Sequence, residues 1–233
     1  MLLGFGAIST SCDSEDDLVK ERIEETTPTP PTFTSGDADF TNYVALGNSL
    51  TAGFMDGALY DEGQMNSFPN IIGQQMVAAE LAADFNQPDI NSVNGFNSTF
   101  SDLAAGVIAG KTILDTSIPG PVPTFPGELL TPFGGDKGTL NNFGVPGART
   151  ADLLTPGYGF PDLGNPFFTR FATDPSTTSI LADALATNPT FFTLWIGSND
   201  VLGYALSGGV GPDPLDAYSQ MDFTTDYGTM IGQ

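Results

Sequence analysis

Residues 43–53 read YVALGNSLTAG: five uncharged residues closing on Gly47, then the polar pair Asn48–Ser49 and a stretch that suits a helix start. A short apolar run that ends in glycine is the pattern of a strand covered on both faces, because neither face has to meet water. Downstream, Ser67 offers an N-cap, Pro69 sits in the first turn, and Phe68, Ile71, Ile72, Met76, Val77 and Leu81 recur at helical spacing. This spacing predicts a first long helix.

The same alternation continues. Leu140–Phe143 suggests a second strand, Thr150–Leu154 opens a helix, Ser179–Ala186 fits another, and TFFTLWI at Thr190–Ile196 reads as the most deeply buried strand of all. Strands alternating with helices imply a parallel sheet with helices on its faces, a three-layer α/β/α doubly wound fold of the flavodoxin-like type. Between them, Asn86–Gly138 is rich in Pro, Gly, Asn and Ser and too long for an ordinary connection. It reads as an insertion with one short helix around Leu103–Leu114.

The charge is strongly one-sided, at −22 from 6 Lys plus Arg against 28 Asp plus Glu. A surface that acidic repels phosphate backbones and anionic head groups, which removes nucleic acid from the candidate partners. The chain contains no histidine, the commonest general base and transition-metal ligand. Cys12 is the single cysteine, so neither an internal disulfide nor a cysteine-rich zinc site can form. No metal or organic cofactor is implied.

Three regions differ in composition. Residues 1–12 (MLLGFGAISTSC) form an apolar, small-residue run too short to span a bilayer, and they read as a signal-peptide remnant. Small residues before Cys12 resemble a bacterial lipoprotein processing site, and the DSEDD that follows resembles the export signals of surface lipoproteins. Residues 13–39 are an acidic, then Thr/Pro-rich, linker that favours an extended tether. The part that carries the strand and helix pattern is residues 40–233, which keeps 19 acidic and 4 basic residues of its own.

Three strand ends carry unusual polar clusters: GNSL at Gly47–Leu50, NNFGVPGART at Asn141–Thr150 and GSND at Gly197–Asp200. Parallel strands share one carboxyl edge, so residues this far apart in sequence can meet there. In order and spacing, these three clusters resemble the first three blocks of the GDSL (SGNH) ester hydrolases. The resemblance runs from Tyr43 to about Leu206. It implies Ser49 as nucleophile and Gly147 and Asn199 as oxyanion-hole residues, with the Ser49 N–H as a third donor.

The chemistry suits those residue types. A serine hydroxyl attacks an ester carbonyl, and the oxygen that becomes negative must meet donors set in place beforehand. A glycine exposes its backbone N–H without a side chain in the way, and an asparagine amide donates without bringing a charge. The G-x-S-x-G elbow of α/β-hydrolases is absent around Ser49.

Two positions depart from the family pattern. Asn48 stands where the family has Asp, a near-isosteric change. The family's D-x-x-H block has no counterpart, so the resemblance implies a catalytic Asp and His beyond Gln233 and a chain that is inactive as given. Asp200 reads as an exposed carboxylate, too weak a base to replace the histidine.

The expected substrate is a small-molecule, glycan or lipid ester, handled by a lipid-anchored protein of the bacterial outer membrane or cell surface. Membrane contact is expected only through that anchor. The alternative is a non-catalytic surface lipoprotein that binds glycan or lipid in the same cleft.

Overall fold

A computed structural model describes residues 35–161, 163–210 and 220–232. The chain divides into two units, Met1–Thr34 and Ser35–Gln233. The lipidation expected at Cys12 lies outside the described residues.

In chain order the elements are β1 (Tyr43–Gly47), α1 (Ser49–Ala52), α2 (Asp61–Met65), α3 (Phe68–Ala78), β2 (Thr112–Leu114), β3 (Pro121–Pro123), β4 (Asn142–Gly144), α4 (Pro166–Thr169), α5 (Ile180–Ala186), β5 (Phe191–Trp195), α6 (Ser198–Leu206) and α7 (Gln220–Ile231). The result is a mixed α/β arrangement around a small parallel sheet of order β4-β1-β5. β2 and β3 form a separate antiparallel pair.

Strand β1 is central, and all five of its residues are buried. Its side chains alternate between two apolar clusters, as the two-residue period of a strand requires. Val44 and Leu46 face Phe143, Val145, Leu181 and Ala184, with Met230 of α7 in the same cluster. Tyr43 and Ala45 face Phe85 and, from α3, Ile72 and Met76. Burying a side chain the size of Val or Leu contributes about 1.5–3 kcal/mol, so two such clusters on one short strand anchor the fold.

The helix signals at Ser67 and Ser179 are realised as N-caps. Ser67 Oγ accepts from Asn70 N at 3.3 Å, and Ser179 Oγ accepts from Ala182 N at 3.1 Å. Of the apolar positions that predict α3, Ile71 points outward at 51% exposure, and Leu81 lies past the end of the helix.

Three expectations need correction. β5 is not the most buried strand: Phe192 and Trp195 are 47% and 51% exposed. It lies at the edge of the sheet, paired on one side only among the described residues. No helix forms over Leu103–Leu114. Instead Asp102 Oδ1 accepts from Ala105 N, Asp102 and Val107 form an antiparallel bridge, and Gly106 has φ +72°. Local side-chain bonds and a left-handed glycine there outcompete a helix. The helix opening at Thr150 is only a 3-10 turn over Ala151–Leu153. Pro156 follows closely, and a residue before proline disfavours helical backbone.

The long insertion is bound to the body at several points. The Arg170 guanidinium, 5% exposed, donates to Pro88 O, Asp89 O and Thr131 O at 3.2, 2.8 and 2.7 Å. Within the insertion, the Glu128 carboxylate accepts from Ser92 Oγ, Asn94 N and Gly95 N. Burial alone would raise the Glu128 pKa, but these bonds outweigh it and hold the carboxyl below its ordinary value.

Gly144 ends β4 directly beneath α1. A β-carbon there would stand 2.2 Å from Ala52 N and 2.5 Å from the Thr51 carbonyl carbon, both backbone atoms that cannot step aside. Gly144→Ala is therefore expected to destabilise the protein by about 2–3 kcal/mol, read as a lower urea midpoint at constant slope. An unchanged midpoint would show that α1 does not sit this tightly on the strand end.

Candidate active site

The register sets the three strand ends level: Gly47 pairs with Gly144 on one side and with Trp195 on the other. The chain leaving each strand thus emerges at one sheet edge. This edge gathers Ser49, Gly147 and Asn199, each from a different strand.

The first and third clusters are joined through Asn48. Its side chain is fully buried, accepts from Leu50 N at 3.1 Å to cap α1, and donates to Ser198 Oγ at 2.7 Å. Gly47 permits the close fit, since a β-carbon there would meet Thr51 Oγ1 at 2.1 Å and Trp195 O at 2.4 Å. Ser49 is the first residue of α1 and half-buried. Neither its hydroxyl nor its N–H has a hydrogen-bond partner among the described residues.

The second cluster is a loop whose backbone groups are taken up one by one. Val145 N donates to Gly47 O at 3.0 Å, and Ala148 N donates to Val145 O at 3.1 Å. Side chains bind four more groups of the loop. Asn165 Nδ2 donates to Pro146 O and Asn199 Nδ2 to Ala148 O, both at 2.8 Å. Arg149 N donates to Asp152 Oδ2 at 2.8 Å, and Thr150 N to Asp200 Oδ2 at 3.1 Å.

Within this web the Gly147 N–H is left without an acceptor among the described residues. Gly147 is exposed and has φ +85°, a conformation that glycine adopts freely and other residues rarely do. Space is not what selects glycine there, because the nearest atom to a β-carbon would be Asn165 Nδ2 at 3.7 Å. The backbone conformation is.

Asn199 is half-buried at the start of α6. Its bond to Ala148 O commits one of its two amide hydrogens and leaves the other for a ligand. Asp200 is not the exposed carboxylate that its place in GSND suggests. It is half-buried and accepts from Thr150 N and, at 3.0 Å, from Thr150 Oγ1, so it ties the third cluster to the second.

Several contributing residues carry no signal in the three motifs. Ser198 is inside GSND, but only the fold shows that it meets Asn48. Asn165 and Asp152 lie outside all three clusters. The Asn-Pro pair at 165–166 does announce a helix cap, which is realised at α4. That the same amide also reaches Pro146 cannot be read from spacing.

An apolar cavity of about 270 Å³ lies elsewhere, lined by Leu46, Leu181, Leu185, Phe192, Leu194 and Met230 among others. None of its lining residues belongs to the three clusters. Among the described residues no group of His, Cys, Asp and Glu is arranged to hold a metal ion.

No family model, no curated protein and no solved structure matches this chain.

One buried side-chain group at the site has no hydrogen-bond partner among the described residues: Thr51 Oγ1, on the first turn of α1 and against Gly47. A desolvated hydroxyl without a hydrogen bond is a net cost that an apolar group of the same shape avoids. Thr51→Val is expected to raise stability by about 1 kcal/mol, measured as a higher urea midpoint. Destabilisation by that amount would show that the hydroxyl is satisfied in solution.

Proposed function

We propose that this protein is a serine-dependent hydrolase of ester bonds, of the GDSL (SGNH) type. Ser49 is the nucleophile, and the oxyanion is met by the N–H groups of Ser49 and Gly147 and the side-chain amide of Asn199. One observation carries this reading. Among the described residues, the Ser49 hydroxyl and the N–H groups of Ser49 and Gly147 lack partners at a single sheet edge, beside a loop whose neighbouring groups Pro146 O, Ala148 O and Thr150 N are held by side chains. Unpaired donors held by a rigid frame are what an oxyanion site requires.

In the proposed reaction the Ser49 hydroxyl attacks the ester carbonyl while a base takes its proton. The carbonyl oxygen becomes negative and is stabilised by the three donors. Collapse of this intermediate expels the alcohol and leaves an acyl-serine, which water then hydrolyses. Asp200 does not serve as the base, since Thr150 occupies its carboxylate. The chain holds no histidine. The base and its carboxylate partner are proposed to come from sequence outside these 233 residues.

The fold that goes with this proposal is a three-layer α/β/α doubly wound domain of the flavodoxin-like type, with residues 40–233 as its N-terminal part. Helices packed against both clusters of β1 support it. The substrate is a small-molecule, glycan or lipid ester. The insertion is fixed by Arg170 and Glu128, and we propose that it shapes the pocket. We also propose attachment to the bacterial outer membrane or cell surface through a lipid on Cys12. No helix among the described residues is long and apolar enough to cross a membrane.

The complete gene product is expected to hydrolyse short-chain p-nitrophenyl esters and to be labelled by a fluorophosphonate, with both lost in Ser49→Ala. Asn199→Ala should lower kcat by about 10²–10³ and leave KM nearly unchanged. Residues 40–233 alone should be slower by roughly 10⁴–10⁶ for want of a base. Hydrolysis that survives Ser49→Ala would overturn the proposal.

A further inference from the structure

The side-chain amide of Asn165 is committed at both ends. Asn165 immediately precedes α4, and its Oδ1 accepts from the backbone N–H of Phe167 at 2.9 Å and of Phe168 at 3.3 Å. Two donors on one side settle which end of the amide is the oxygen. Nδ2 is thereby turned toward the loop after β4, where it donates to Pro146 O at 2.8 Å and to the Tyr158 hydroxyl at 3.2 Å.

Pro146 O and the Gly147 N–H belong to the same peptide group, which is trans. In a trans peptide the C=O and N–H point in opposite directions, so holding the oxygen toward Asn165 holds the N–H away from it. A hydrogen bond accepted at the oxygen also polarises the peptide and strengthens its N–H as a donor. Free rotation of this peptide would otherwise be easy, because Gly147 tolerates many φ values.

Tyr158 completes the support. Burial, followed by the charge of Asp152, pushes the pKa of its hydroxyl up to about 12. It therefore stays a neutral hydroxyl, which accepts the hydrogen bond from Asn165. Asp152 Oδ2 in turn accepts from Arg149 N at 2.8 Å, two residues after Gly147 in the same loop.

We propose that Asn165 is a positioning residue, which fixes the Pro146–Gly147 peptide so that the Gly147 N–H is presented to the substrate oxyanion. This rests on the ester-hydrolase reading and adds to it a residue from outside the three motif clusters. A role confined to capping α4 would use only Oδ1. The positioning role uses Nδ2.

Asn165→Asp separates the two roles. Aspartate caps a helix as well as asparagine does, but when ionised it cannot donate, and it sets a negative oxygen against Pro146 O. In the complete gene product, kcat should fall by about 10- to 100-fold, part of the effect of deleting an oxyanion donor, with KM nearly unchanged. The ratio of variant to wild-type kcat should rise as pH falls through the carboxyl range near ~4, because a protonated aspartate regains a donor. Asn165→Ser, a good cap too short to reach Pro146 O, should show the fall in kcat without the pH-dependent recovery, and it serves if the aspartate variant does not fold. Wild-type kcat in both variants, with Ser49-dependent turnover intact, would overturn the positioning role alone. Absence of Ser49-dependent turnover in the wild type would overturn the hydrolase reading and this inference with it.

Discussion

The parallel register that sets Gly47 level with Gly144 and Trp195 is the constraint on which the rest of the structure depends. It brings three loops to one edge, and it does so at a packing distance that only glycine allows at two of the three strand ends. Without a side chain at Gly144, α1 can rest on the strand; without one at Gly47, Thr51 and the end of β5 can close in. Ser49 is thus carried on a helix start that is pressed against the sheet. A shift of register by one residue would exchange the two apolar clusters of β1 and scatter the three loops.

Above that base, the site is built by backbone accounting. Exposed loops ordinarily satisfy their N–H and C=O groups with water. Here the 145–150 segment is bonded instead to side chains from 152, 165, 199 and 200, which arrive from the following turn, the cap of α4 and the start of α6. Each bond removes a way for the loop to relax. Among the described residues the N–H groups of Ser49 and Gly147 and the Ser49 hydroxyl stay unbonded, and one amide hydrogen of Asn199 is uncommitted.

The sequence announces those features that depend on local pattern. YVALG shows a covered strand because its residues are apolar on both faces, and Ser67 and Ser179 show helix starts because a capping hydroxyl acts within three residues. The parallel order of strands follows from their alternation with helices, and with it the meeting of the three clusters. Features decided by tertiary contacts were not legible. TFFTLWI has the composition of a central strand, yet its burial depends on what lies beside it, and β5 has β1 on one side only among the described residues. Asp200 looks exposed in GSND until Thr150 is placed 3.0 Å away from it. Leu103–Leu114 has enough apolar residues for a helix, but Asp102 and Gly106 settle the local competition in favour of turns.

The account stands on three strand ends forming one oxyanion site around Ser49. A crystal structure of the complete gene product carrying a phosphonate on Ser49 tests this most directly, because the phosphonyl oxygen stands in for the oxyanion of the tetrahedral intermediate. The account predicts that this oxygen lies within about 2.7–3.1 Å of Ser49 N, Gly147 N and Asn199 Nδ2. A phosphonyl oxygen turned to solvent, or a phosphonate attached to any residue other than Ser49, would contradict it.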